Sequence, residues 1–412
     1  MTPPRETPVE AEAGSTLAPL RPRGSNQLGM RQYNERVVLQ ALRSHGALPK
    51  AELARVTGLT AQTIGLITTR LEEDGLLMRH DPVRGRIGQP SVPLALHPDG
   101  AFAIGIKIGR RSTDALLVDF NGKVRKRMAL SYPFPSAREL LPAVSQQLRT
   151  LRRSLGANAP RLVGVGVAAP FQMGGWHRML GLSHEQSEQW NALDLAAEVQ
   201  ALTDLPVSFA RDTAAACVAE LLLGRGRDLK SYLYLFVDTF VGGGLVLNSQ
   251  PHLGGRGNAG AMASIPTGLA EAGTPPEQLV HHASLWELEQ RFKKQGLDPT
   301  AAYDQRALET PFLACTAPWI ERAANALALG IVAGTAVVDV DAVVIDGSLA
   351  PAALNALIER TRGALRRYNW EGLWPPTIHA GTIGSDARAL GGALLPLHTH
   401  FGADRDIFLK AG

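Results

Sequence analysis

Three groups of side chains in this sequence have types and spacings that suggest chemistry. The first lies in a predicted helix, Ala61–Glu73, where Gln62, Gly65, Leu66 and Thr69 share one face and Ile64, Ile67 and Leu71 share the opposite one. An amide, a hydroxyl and a bare Cα, with Thr63 alongside and few charges, suit a helix that enters a DNA major groove and reads base edges. A solvated face would carry more charge; the alternative is a helical hairpin that mediates protein contacts. The second group is Arg79, Arg84 and Arg86, spaced by Gly85 and followed by Gly88. Guanidinium groups on a glycine-flexed extended loop can follow phosphates or enter a narrow minor groove, unless the loop is simply an exposed charged one. The third group argues for an absence. Cys217 and Cys315 have no CxxC neighbour, and the side chains of adjacent His281 and His282 diverge, so no zinc site is expected.

The elements around the first group fit its role. In Lys50–Thr57, Leu53 and Val56 form an apolar face; Gly58 supplies a turn, Leu59 plugs the core, and Thr60 is placed to cap the next helix. Residues 26–98 therefore read as a winged helix-turn-helix domain, with the arginine loop as its wing. Residues 1–25, rich in Pro, Glu, Ala, Arg and Ser without periodicity, read as a disordered arm.

The 412 residues are too many for one ordinary domain. With 45% hydrophobic and 19% charged residues they can bury a substantial core. No run of 18 or more apolar residues and no basic-then-apolar leader occurs, so a cytoplasmic protein without membrane spans is expected. The net charge of +4 permits nucleic-acid binding without arguing for it.

From Ala101 onward one element order runs twice. The first copy has strands at Ala101–Ile108, Asp114–Asp119 and Val124–Ser131, the last two joined by Asn121-Gly122. A helix follows at Glu139–Leu155, with Pro142 in its first turn, then a strand at Leu162–Ala168, a helix near Leu193–Leu202 and a strand at Val207–Ala210. The second copy places strands at Tyr232–Val237, Gly244–Leu247, Ala342–Asp346 and Thr377–Ala380, with helices at Pro318–Gly334 and Ala352–Arg366. A helix at Ala387–His400 closes the chain. Such alternation predicts an α/β body of two similar lobes, 99–211 (closed by 387–402) and 212–386, with a ligand cleft between them.

Gly58-Leu59-Thr60, Gly85-Arg86-Ile87-Gly88-Gln89-Pro90, the run Gly164–Pro170, Asp212 before an Ala-rich helix, and Gly257-Asn258-Ala259-Gly260 together resemble regulators of the ROK (repressor, ORF, kinase) family. The resemblance runs from about Asn26 to the C-terminus. It implies an actin-like, ribonuclease H-like body beneath a winged head, and a function as either sugar kinase or sugar-responsive repressor. The family's kinase motifs are altered. Where its first phosphate loop reads DxGGT, this chain has Lys107-Ile108-Gly109-Arg110-Arg111-Ser112; where the second reads GTGxG, it has Asp238-Thr239-Phe240-Val241-Gly242. The zinc cluster CxCGxxGC has no cysteine left in Ile265–Leu285, and the sugar-binding ExGH is Ala261-Met262-Ala263-Ser264. The family's Asn-Asp pair is Arg211-Asp212, in which Asp212 matches the catalytic base or simply caps the following helix.

These features predict a regulator without catalytic residues, metal or cofactor. Its expected partners are double-stranded DNA, a sugar or sugar derivative and further copies of itself, as homodimer or homotetramer. Thr60, Gln62, Thr63, Gly65, Thr69, Arg84 and Arg86 are the expected DNA contacts; Arg211, Asp212, Asn258, Ala261 and Ser264 the expected ligand contacts. A carbohydrate kinase with an appended head, and a body that docks on a protein partner, are the competing readings.

Overall fold

In a computed structural model of the chain, residues 27–82, 91–132, 136–170, 179, 181, 183–271 and 273–403 are described. The N-terminal arm, Arg84 and Arg86 lie outside them. The chain opens with helices α1 (Gln27–His45), α2 (Lys50–Thr57) and α3 (Ala61–Glu73), followed by an antiparallel pair, β1 (Leu77–Arg79) and β2 (Leu94–Leu96). Gly58 ends α2 at φ 70°, a left-handed conformation that favours glycine. Thr60 caps α3 by accepting the Thr63 N–H at 3.2 Å. Leu53, Ile64, Ile67 and Leu71 are buried as their spacing predicts. Val56 is not: it is 37% exposed, so the apolar face of α2 reduces to Leu53.

The body contains one wiring twice. β3 (Phe102–Ile108), β4 (Ser112–Asp119), β5 (Val124–Ser131), β6 (Leu162–Ala169) and β7 (Val207–Arg211) form a sheet of order β5-β4-β3-β6-β7. Around it lie α4 (Ala137–Arg153), α5 (His184–Asn191) and α6 (Leu195–Gln200). Then come α7 (Asp212–Leu223), β8 (Tyr232–Val237), β9 (Gly242–Leu247), β10 (Gln250–Pro251), α8 (Val280–Ala283), α9 (Leu285–Lys294) and α10 (Leu313–Val338). β11 (Ala342–Gly347), α11 (Pro351–Leu365), β12 (Thr377–Ala380) and α12 (Ala387–Phe401) complete it, and the second sheet has the order β10-β9-β8-β11-β12. In both sheets the first two pairings are antiparallel and the last two parallel. Pro142 departs from expectation. Because α4 starts at Ala137, Pro142 sits in its second turn, where its missing N–H forfeits one helical hydrogen bond.

α12 crosses back onto the first sheet, and glycines let it come close. A Cβ on Gly105 would lie 2.2 Å from the Ala393 nitrogen, and one on Gly166 would lie 1.9 Å from the Gly392 carbonyl oxygen. One apolar cluster runs from Val38, Leu42 and Ile64 of the head through Phe120 to Leu394 and Leu397 of α12. Arg43 of α1 donates to the Phe120 carbonyl at 3.0 Å and lies 5.2 Å over its ring. The head is thus packed on the body. α10 is long and apolar enough to cross a membrane, yet Trp319, Ala323, Leu327 and Ile331 are buried in the core of the second lobe.

Candidate ligand cleft and candidate nucleic-acid surface

Two turns face each other between the sheets: Gly109–Arg111, between β3 and β4, and Asp238–Val241, between β8 and β9. Lys107 is buried, and its ammonium donates to Ser112 Oγ at 2.6 Å and Asp114 Oδ2 at 3.0 Å. Burial, with the Arg388 charge adding to it, holds this lysine below its ordinary range despite Asp114. Arg388 of α12 pairs with Asp238 and approaches Asp212 Oδ2 at 3.7 Å. Burial alone would raise the Asp238 carboxyl; Arg388 and Lys107 outweigh it and keep the group below its ordinary value. Arg111 meets Glu289 of α9 through two bonds, 2.5 and 3.0 Å. Tyr303 donates to the same carboxylate at 2.6 Å and shares a 2.9 Å hydrogen bond with Thr239. Arg110 lies 5.0 Å over the Phe240 ring. Burial pulls its guanidinium down to about 10, against the favourable charge of Asp212.

These groups line adjoining cavities. The largest, about 1040 Å³, runs between Lys107, Asp238, Tyr303, Gly347 and Gly384. A chamber of about 340 Å³ around Arg110, Arg111, Asp238 and Phe240 shares Lys107 and Arg388 with it. Beyond Arg110 and Phe240, which line both spaces, lies an inner pocket of about 100 Å³. The five ligand contacts expected from sequence, Arg211, Asp212, Asn258, Ala261 and Ser264, all line that inner pocket. Arg211 ends β7 with its guanidinium 5.6 Å over Phe209. Asp212 is the first residue of α7 rather than its cap: Arg211 holds the cap position, and Asp212 Oδ1 accepts the Thr213 N–H at 2.9 Å. Asn258 is carried on a loop closed by Gly260, where φ is 74° and a Cβ would lie 2.8 Å from the Gly244 backbone. Glu289, Tyr303 and Arg388 were not singled out from sequence; no local pattern marks them, because their partners are far away in the chain.

On the head, Gln62 and Thr69 are exposed, Leu66 is 71% exposed, and Gly65 would admit a Cβ with nothing within 4 Å. The Thr60 and Thr63 hydroxyls bond each other at 2.8 Å. Arg79, read as part of the arginine loop, is tied to α3 by bonds of 2.5 and 3.1 Å to Glu72. Those bonds lower the Glu72 carboxyl below its ordinary value. Among the described residues no cluster of three or more His, Cys, Asp or Glu side chains could hold a metal ion. His282 is instead bonded to Thr267 Oγ1 at 3.0 Å and to Glu277 at 3.1 Å.

The sequence pattern of the ROK family matches residues 103–398. The chain belongs to the ROK family. Over 260 residues it is 24% identical to the DNA-binding transcriptional dual regulator NagC of Escherichia coli, spanning 60% of this chain and 61% of that protein. A ROK family transcriptional regulator, a homologue of the E. coli MLC protein, superposes on 93% of this chain and all of its own, with a TM-score of 0.66 at 19% identity. A ROK glucokinase from Streptomyces griseus, solved with glucose and AMPPNP, covers 72% of this chain and 99% of its own, with a TM-score of 0.58 at 17% identity. The body therefore has the family's sugar kinase-like, actin-like fold, shared by its regulators and its kinases alike. The two stretches read from the sequence resemblance as phosphate-loop matches, Lys107–Ser112 and Asp238–Gly242, contain the two facing turns.

Proposed function

We propose that this ROK protein is a DNA-binding transcriptional regulator, a repressor of genes for carbohydrate uptake or catabolism, controlled by an effector in the inner pocket. The observation that carries the reading is α3. Its turn at Gly58 and cap at Thr60 bury Ile64 and Ile67 and present Gln62, Gly65, Leu66 and Thr69 outward, with no acidic residue in the first turn to repel phosphates. Residues 26–98 act as the winged helix-turn-helix domain, with Arg84 and Arg86 of the wing on the DNA backbone. The lobes are 99–211 with 387–402, and 212–386. A two-fold operator requires two heads, hence a homodimer or homotetramer.

Phosphoryl transfer is absent in this reading. A phosphate cradle works by open backbone N–H groups and a metal-organising carboxylate. Here the Lys107 ammonium stands at the carboxylate position, and the side chains of Arg110 and Phe240 line the chamber between the turns in place of open backbone. A carbohydrate kinase with an appended head is the second reading. It is favoured by Asp212, the match to the family's catalytic base, which still lines the pocket. The effector is an anion: Arg211 brings a planar fork suited to carboxylate or phosphate oxygens, and Ala261 and Ser264 remove the acid and imidazole of a neutral-sugar site.

One melting-temperature panel tests these points. Magnesium-ATP is expected to leave the midpoint unchanged, whereas a sugar acid or sugar phosphate that binds the native state raises it by mass action. That rise is expected to vanish in Arg211→Ala. A neutral sugar bound equally well by wild type and Arg211→Ala contradicts the anionic effector. In a separate activity assay, sugar phosphorylation abolished by Asp212→Asn would establish the kinase instead.

A further inference from the structure

Of the four cations that line the chamber, three pair with an acid and the fourth lies over an aromatic ring. Within the first lobe Lys107 bonds Asp114. Arg111, in the turn between β3 and β4, reaches Glu289 of the second lobe, whose side chain is 4% exposed. Arg388, on the helix that packs against the first sheet, reaches Asp238 of the second lobe. Arg110 lies over Phe240, also of the second lobe. The cations that line the chamber are thus already engaged by Asp114, Asp238, Glu289 and the Phe240 ring, which points to a use of these side chains other than holding a phosphate. All three cross-cleft contacts join the first-lobe side to the second, and two of them arise from adjacent residues of one turn.

We propose that Arg110 and Arg111 form an interlobe clasp that, together with Arg388, holds the two lobes against each other without any bound nucleotide. The Arg111–Glu289 contact is the strongest element of the clasp. It is a two-pronged guanidinium–carboxylate pair, the most directional ion pair available to side chains, and its carboxylate is withdrawn from water. Tyr303 donates at 2.6 Å to the same Oε1 that Arg111 bonds, which adds a second restraint on the Glu289 carboxylate. Opening the lobes would strip a buried acid of its counter-ion, which biases the pair of lobes toward the closed arrangement. Arg110 and Phe240 meanwhile separate the chamber from the inner pocket, whose 100 Å³ is below the range of ordinary ligand sites. If the effector reading above is right, a sugar-sized ligand must displace this partition. The clasp itself does not depend on that reading.

Hydrogen exchange of the full chain, without any added ligand, tests the clasp alone. In Arg111→Gln and in Glu289→Gln, which keep side-chain volume and lose the charge pair, backbone amides of segments 108–112 and 238–242 are expected to exchange at least about tenfold faster. The double variant should exchange no faster than either single one, because both remove the same contact. Arg111→Lys keeps the charge but not the two-pronged geometry, and is expected to fall between wild type and Arg111→Gln. Arg306→Gln breaks pairs with Asp298 and Asp304 inside the second lobe and should leave those segments as in wild type. Unchanged exchange in Arg111→Gln and Arg111→Lys, equal acceleration by Arg306→Gln, or multiplying effects in the double variant would each overturn the clasp.

Discussion

Gly391→Ala is expected to destabilise the protein by about 3 kcal/mol, the upper end for overpacking a close-packed interior. A Cβ at this position of α12 would lie 1.7 Å from the Ala215 carbonyl oxygen and 2.3 Å from its carbon, both backbone atoms of α7. No rotamer change relieves that contact; the two helices must move apart, in the region where α12 also rests on Gly105 and Gly166 of the first sheet. Helix propensity works the other way, favouring Ala over Gly by about 1 kcal/mol, and is outweighed. Gly363 of α11 supplies the contrast. It is exposed, with nothing within 4 Å of a built Cβ, so Gly363→Ala is expected to stabilise by about 0.5–1 kcal/mol. Denaturant unfolding of the two variants checks the pair. Equal stability of Gly391→Ala and wild type would mean that α12 does not pack as described.

Arg388→Met is expected to cost about 3 kcal/mol or more at neutral pH, because it leaves the Asp238 carboxylate buried without its main counter-ion. The sign of its pH dependence follows from Asp238. In wild type this carboxyl is held below its ordinary value, so its contribution to stability is present above about pH 4 and lost as pH falls through the depressed native value. Burial is already the largest single influence on Asp238; without Arg388 it is no longer outweighed, and the native carboxyl is expected to rise above its unfolded value, softened by Lys107. The variant then gains relative stability as pH falls from 7 toward about 4, and its deficit against wild type narrows. Asp238→Asn in the same background should recover much of the loss. A deficit that is identical at about pH 7 and pH 5, or that survives Asp238→Asn in full, would refute the assigned role of the pair.

Much of the framework was readable in the sequence because it is written in local patterns. Alternating strand and helix signals showed the doubled order of the body, and the Gly58 turn with the Ile64, Ile67 and Leu71 spacing showed the buried face of α3. Shorter elements escaped. β10 is two residues long, too short to carry a periodicity. α5 was missed although its signal is present: Ser183 and Gln186 form a reciprocal capping box before Trp190. The expected pocket residues do meet in one cavity, since each was carried over from a motif that the chain retains or visibly alters. What holds the cleft was not legible. Glu289 lies 178 residues from Arg111, and nothing around it distinguishes an acid that crosses the cleft from one that faces water.

The most direct measurement of the central claim is selection of bound sequences from a random double-stranded DNA pool with the full chain. Wild type is expected to enrich a two-fold symmetric site. Gln62→Ala is expected to enrich the same site with a relaxed preference in each half, corresponding to about 1–3 kcal/mol of lost discrimination for a two-pronged base contact. Recovery of no enriched sequence by the wild-type chain, at any salt concentration that supports binding, would contradict its assignment as a sequence-reading regulator.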